Sequence, residues 1–400
     1  APTRWCPGGI ASPQYTGSIP RTTSPLQELR FSNWMDEELR GTPAFYPDVL
    51  ISYYYFRDIS LQLPRDGFVF GDSGGFSIRK FGMARSTGPA HQRRVDPVDV
   101  LRWQAKLCDV GVILDSPPKA PGGELVRLAD GVSAQQGSFN AHTWEYGITT
   151  TLKNTKRALP FYEKLRKENN PFRWWGVIQG LTNEQRDIWW KEVGAVYPFT
   201  DEGEGWAIRM QPVSFNPVYV AQGLRWLQQH KITHTHFLAA ASPLAVATII
   251  VLGERAGLEV TSCDSTAGTI HAINRSVVLP SQDGMGYSEI EEKRGETQGQ
   301  RFLLEKCPCI SCAQLREDQR QYPDLLSGEY NEYWLHRFIF HNLIVFFNIF
   351  RTVAVEAKTH PDHLLRTILG PRYGNVLRAF DGRESVQTAE GMPRSLTEWL

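Results

Sequence analysis

The chain has 400 residues, 41% hydrophobic and 22% charged, which supplies a sizeable core and excludes general disorder. Lysine plus arginine equals aspartate plus glutamate at 43 each, so no global positive field announces a nucleic-acid partner and any such surface must be local. No apolar run reaches the ~18 residues of a membrane span, because residues 338–350 are broken by His341, Asn342 and Asn348. The first six residues lack the apolar stretch of a signal peptide, so a soluble, cytoplasmic chain with no membrane partner is expected.

Residues 1–45 are rich in Pro, Gly, Ser and Thr and read as an irregular lead-in. Short apolar runs then alternate with longer helical stretches. The runs fall at 49–52, 68–70, 110–114, 174–178, 206–208, 236–238 and 258–260, and the helices at 97–108, 149–167, 183–193, 217–230 and 242–256. Strands alternating with helices predict parallel β/α units, and seven or eight of them predict a closed barrel. A doubly wound sheet is the runner-up, but no Gly-x-Gly-x-x-Gly follows the first strand. The expected fold is therefore an α/β, (β/α)8 TIM barrel over 46–300, a zinc-binding subdomain with a long helix over 301–360, and a helical tail over 361–400. In the long helix, Trp334, Phe338, Leu343, Phe346 and Ile349 recur at helical spacing, the mark of a core-facing stripe.

A barrel places its chemistry just after the strands. Asp72 follows an apolar run and opens Asp72-Ser73-Gly74-Gly75-Phe76; Asp115 ends the next run; Gln179 and Gly180 follow Ile178; Asp264 follows Cys263. Each could be an ordinary helix cap or turn residue. Together, three carboxylates and an amide at one mouth need a reason to tolerate repulsion, and unlike roles are such a reason. Of two carboxylates at a glycosidic carbon, one can attack C1′ and the other move the leaving group's proton. An Asp and a Gln can accept and donate along a purine edge, while glycines admit a flat base and Phe76 stacks on it.

Cys307, Cys309 and Cys312 lie within six residues, a spacing that favours metal ligation over disulfides. With His341 they supply three thiolates and an imidazole, a tetrahedral zinc shell. His336, almost a turn and a half away on the same helix, is the competing fourth ligand. Cys6, Cys108 and Cys263 are scattered.

The Asp72–Phe76 segment, Gly176-Val177-Ile178-Gln179-Gly180, Asp264 and the Cys307/Cys309/Cys312/His341 set, in this order, resemble the tRNA-guanine transglycosylase superfamily across about residues 45–350. The resemblance implies a TIM barrel with a zinc subdomain that exchanges guanine in a polynucleotide for a 7-deazaguanine. It implies Asp264 as nucleophile, Asp72 as general acid/base, Asp115 and Gln179 as the base-recognition pair, Ser73, Gly74 and Gly180 beside the base, and Phe76 as the stacking ring.

The departures lie in the segments that hold tRNA. A Gly-Gly-Leu segment is replaced by Trp206-Ala207-Ile208-Arg209-Met210-Gln211, a Pro-Thr-Arg run by Ser265-Thr266-Ala267-Gly268-Thr269, and Met-Gly-Val-Gly by Leu238-Ala239-Ala240-Ala241. That pattern is most similar to the DNA-modifying (DpdA-type) DNA-guanine transglycosylases. The expected partners are DNA, with tRNA as the alternative, the base 7-cyano-7-deazaguanine (preQ0), accessory DNA-modification proteins, and a second copy of the chain. A non-catalytic docking subunit is the alternative of a different class, opposed by the presence of both Asp72 and Asp264. Arg93, Arg94, Lys119, Arg127 and Arg275 are candidate phosphate contacts.

Overall fold

The computed structural model describes residues 3–7, 37–57, 67–75, 78, 95–118, 141–180, 182–209, 217–240, 242–265, 267–293, 296–321 and 332–383. Ten strands occur among them: β1 (Thr3–Pro7), β2 (Val49–Ser52), β3 (Val69–Asp72), β4 (Val110–Val112), β5 (Arg173–Ile178), β6 (Trp206–Arg209), β7 (His234–Leu238), β8 (Val260–Ser265), β9 (Ser276–Pro280) and β10 (Tyr287–Glu291). The helices are α1 (Tyr53–Phe56), α2 (Pro97–Leu107), α3 (Ala141–Lys167), α4 (Asn183–Val196), α5 (Pro217–Gln229), α6 (Pro243–Arg255), α7 (Ala267–Ile273), α8 (Gln298–Glu305), α9 (Ile310–Gln321), α10 (Glu332–Thr359), α11 (Pro361–Leu369) and α12 (Tyr373–Asp381).

Strands β2 to β8 pair in chain order, each parallel to the next, and form a nearly closed barrel of seven strands. Parallel neighbours need a crossover, which helices α2 to α6 supply from β3 to β8. Strand β1 pairs parallel to the far edge of β8 and adjoins β2 without a shared ladder among the described residues. Within the expected lead-in of residues 1–45 there is therefore a strand that extends this sheet. Its Thr3-Arg4-Trp5-Cys6-Pro7 sequence has no apolar run to betray it, because its place is set by the open edge of β8.

The last barrel strand also differs from expectation. It runs over Val260–Ser265 rather than 258–260, so Asp264 lies within the strand, in register with Cys6 on β1. Asp264 can be read as a turn residue in sequence, yet the interior of this barrel takes the polar side chains of Thr261, Ser262 and Asp264 at that edge. Strand β4 stops at Val112, short of the expected 114. Beyond it the Asp115 N–H turns back to the Ile113 carbonyl at 2.9 Å.

Helix starts follow their caps. Asp96 accepts from the Val98 N–H ahead of Pro97, Thr182 and Gln185 form a capping box, and Ser242 caps Ala245 ahead of Pro243. Barrel and helices share one apolar core that includes Trp174, Trp175, Trp189, Trp206 and Trp226, each at most 2% exposed. Gln104 of α2 ties two strands from below, donating to the carbonyls of Gly71 at 2.9 Å and Val112 at 3.0 Å.

Helix α10 packs on α6, α7 and β9, and its far end reaches the segment ahead of β2. There the Arg351 guanidinium donates to the Pro43 and Phe45 carbonyls, and Phe347 stacks on Tyr46 with ring centroids 4.7 Å apart. The helix thus braces the seam between the end and the start of the barrel. Trp334, Phe338, Leu343, Phe346 and Ile349 are all buried, as the stripe predicts. By length and mean hydropathy (1.7) residues Tyr333–Thr359 could cross a membrane, but 72% of the apolar window is buried inside the protein, as in a core helix.

Candidate active site and metal cluster

Four of the expected residues converge on one end of the barrel. Asp72 is the last residue of β3, Asp115 lies three residues beyond β4, Gln179 follows β5 directly, and Asp264 is the penultimate residue of β8. None of the four is a described helix cap; that work falls to Asp96, Thr182 and Ser242.

Asp115 and Gln179 form a hydrogen-bonded pair, with Gln179 Nε2 donating to Asp115 Oδ2 at 2.7 Å. Arg209, at the end of β6, donates from Nη1 to Gln179 Oε1 at 3.3 Å. The chain across three strand ends fixes the amide, with NH2 toward the carboxylate and oxygen toward the guanidinium. Burial pushes the Asp115 carboxyl up from 3.8 to about 7; Asp72 adds to the rise, while Gln179 and Arg209 oppose it. A buried acceptor–donor pair of this kind matches the N–H and C=O groups along a purine edge.

The glycine run after Asp72 is shaped by that pair. A Cβ on Gly75 would sit 2.4 Å from the Asp115 carbonyl oxygen, so only glycine lets the turn after β3 pass over Asp115. Gly74 has φ +76°, and its N–H donates to Asp72 Oδ2 at 3.1 Å. Ser73 is fully buried, and its hydroxyl has no partner among the described residues. Gly180, with φ +135°, turns the chain behind Gln179.

Asp72 faces Asp264. Burial lifts the Asp72 carboxyl above its ordinary range and the Asp264 charge lifts it further, while Ser52, the Gly74 N–H and His236 oppose the rise. Asp264 is held at Oδ1 by the Ala239 N–H at 2.7 Å and by His236 Nε2 at 3.1 Å. Ala239 adopts φ +61°, a left-handed conformation that costs a non-glycine residue ~1–2 kcal/mol. The strain aims its N–H at the carboxylate. Two carboxyls in electrostatic contact are suited to unlike proton roles.

Sequence reasoning does not single out His236, Ser262 or Ser52. His236 begins the apolar run expected at 236–238, where its ring reads as part of the strand; the signal is register, because it pairs across the ladder with Ser262, two residues from Asp264 on the same face of β8. Phe76, Met210, Gln211, Thr266, Arg93, Arg94, Lys119 and Arg127 lie outside the described residues.

At the other end of α10, Cys307, Cys309, Cys312 and His341 place one ligand atom each within 4.8 Å of one another. His341 Nδ1 lies 3.4, 3.5 and 3.6 Å from the three sulfurs. For a tetrahedral ion with metal–sulfur and metal–nitrogen bonds of ~2.3 and ~2.0 Å, that separation is ~3.5 Å. The donor set and spacing fit such an ion. His341 Nε2 donates to the Val278 carbonyl at 2.9 Å, which fixes the ring and leaves Nδ1 for the metal. The cluster joins the α8–α9 turn to α10 and, through Val278, to β9; a buried Arg337–Asp318 pair, with Tyr333 donating to Asp318 at 2.6 Å, fixes α9 to α10 beside it.

No protein-family model matches the chain, and a search of curated proteins finds no match either.

Proposed function

We propose that this chain is a guanine transglycosylase on a (β/α)8 barrel, with β1 as the eighth strand and zinc in the cysteine–histidine cluster. It exchanges guanine in DNA for a 7-deazaguanine, preQ0, through a glycosyl-aspartate intermediate. The observation that carries this reading is the pairing of Asp72 with Asp264 beside the Asp115–Gln179 pair: two carboxyls for a displacement, next to a complementary edge for a purine.

In the first half-reaction an oxygen of Asp264 forms a bond to C1′ as the C1′–N9 bond breaks. The electron pair leaves with guanine, which takes the Asp72 proton. In the second, the incoming base gives its N9 proton to Asp72 and attacks C1′, and the Asp264 oxygen departs. Atoms and charge balance without a further reactant. Asp115, as carboxylate, accepts the N1–H and exocyclic N–H of the base, and Gln179 reads the same edge. Zinc is structural in this scheme: it ties the cysteine loop to α10 and supplies no step. The target nucleotide must leave the stack to reach Asp264.

The deciding experiment incubates the protein with preQ0 and either plasmid DNA or tRNA, followed by nucleoside mass spectrometry. Incorporation into DNA is expected. Incorporation into tRNA alone transfers the assignment to the tRNA enzymes, and no exchange of guanine or preQ0 with either polymer refutes the reading.

A further inference from the structure

His236 lies on the inner face of the barrel, 0% exposed, with its ring stacked 3.8 Å from Phe70 at an interplanar angle of 15°. Nε2 faces Asp264 Oδ1 at 3.1 Å and Nδ1 faces Ser262 Oγ at 2.8 Å. A carboxylate can only accept, so the proton between His236 and Asp264 belongs to Nε2. Nδ1 faces the Ser262 hydroxyl, which braces the ring from its other side, and Phe70 holds the plane.

The consequence concerns the two oxygens of Asp264. Oδ1 takes two donors, the Ala239 N–H and His236 Nε2, whereas Oδ2 accepts no hydrogen bond among the described residues. Hydrogen bonds draw charge and engage lone pairs, so the two oxygens are unequal before any substrate arrives. We infer that His236 is a positioning residue for Asp264: with Ser262 and Ala239 it holds Oδ1 as the anchored oxygen and presents Oδ2 as the one that bonds to C1′. This rests on the transglycosylase reading above. Asp72, which also interacts electrostatically with His236, is left to serve the leaving base. His236 touches no reacting atom, and its effect passes through Asp264 alone.

The test uses the full chain labelled with 15N-histidine, together with His236→Phe, His236→Gln and Ser262→Ala. Without substrate, nitrogen NMR should find His236 protonated at Nε2, a contact that does not depend on activity. With a guanine-containing oligonucleotide, His236→Phe keeps a ring against Phe70 but loses the donor. Adduct formation should slow ~10- to 100-fold, the usual effect of one lost hydrogen bond to a charged group, with KM for preQ0 unchanged. His236→Gln restores an N–H and should recover most of that rate, and Ser262→Ala should fall between. A merely structural role lowers the melting temperature of both His236 variants and spares the rate of the folded fraction. Wild-type adduct formation by His236→Phe, or a proton on Nδ1 with Nε2 bare, overturns the inference alone. A wild-type chain that traps no adduct on any polymer, with the Nε2–H tautomer in place, overturns the transglycosylase reading and this inference with it.

Discussion

Asp115→Asn should make the protein more stable and abolish the base recognition proposed for it. The buried carboxyl is pushed up from 3.8 to about 7, burial being the largest cause. A carboxyl whose folded value is raised stabilises fully below its unfolded value and loses that contribution as pH rises through the folded one. The loss therefore spreads between about pH 4 and pH 7. At ~1.4 kcal/mol per pH unit its full size is about 4 kcal/mol, an upper figure, since Gln179 and Arg209 relax around the ionised group. Asparagine keeps the shape and can still accept from Gln179 Nε2, yet never ionises. At pH 8 the variant should gain ~2–4 kcal/mol over wild type, and at pH 4 about nothing. Urea unfolding of both proteins at half-unit steps from pH 4 to 8 measures the difference, from which titrations common to both proteins cancel. An advantage that does not grow with pH, or a less stable variant at pH 8, refutes the argument. In the proposed mechanism the same carboxylate accepts two N–H groups from the base, so preQ0 affinity of the wild type should fall below about pH 7, and asparagine, with one acceptor oxygen, should lose it at every pH.

Asp264→Asn should trap no covalent adduct on denaturing gels, and Asp72→Asn should slow exchange by ~100- to 10,000-fold, the usual range for a lost general acid. One zinc per chain should co-purify by elemental analysis; Cys309→Ser or His341→Ala should release it and loosen α8 to α10 in hydrogen exchange while the barrel mouth keeps its protection. Ala239→Gly should raise the unfolding free energy by up to ~1 kcal/mol in urea titrations, because glycine adopts φ +61° without strain and the N–H to Asp264 remains. Exchange into DNA should fall steeply with salt as phosphate contacts release counterions, and single-stranded or supercoiled substrates should outpace relaxed duplex. Equal rates on all forms at all salt concentrations contradict the proposed polymer.

Much of this molecule is written along the chain. The alternation of short apolar runs with helical stretches is a local property, so β2 to β7 and the helices between them are legible in sequence, as are Pro97 and Pro243 at helix starts. The cysteine spacing names its ligands, and strand-end position names Asp72, Asp115 and Gln179, because a parallel barrel puts its free side chains there whatever its detailed packing. What depends on partners distant in sequence is not legible. Strand β1 has no apolar pattern and exists because β8 offers an unpaired edge. Strand β8 runs through Asp264 because that carboxylate finds Ala239 and His236 inside the barrel, where sequence alone ends the strand before it. His341 rather than His336 meets the sulfurs because Val278 and the packing of α10 fix one ring. The inequality of the two Asp264 oxygens belongs wholly to tertiary structure: it needs a donor from β7, a strained N–H after it, a hydroxyl from β8 and a ring from β3, four contributions whose separation along the chain no periodicity records.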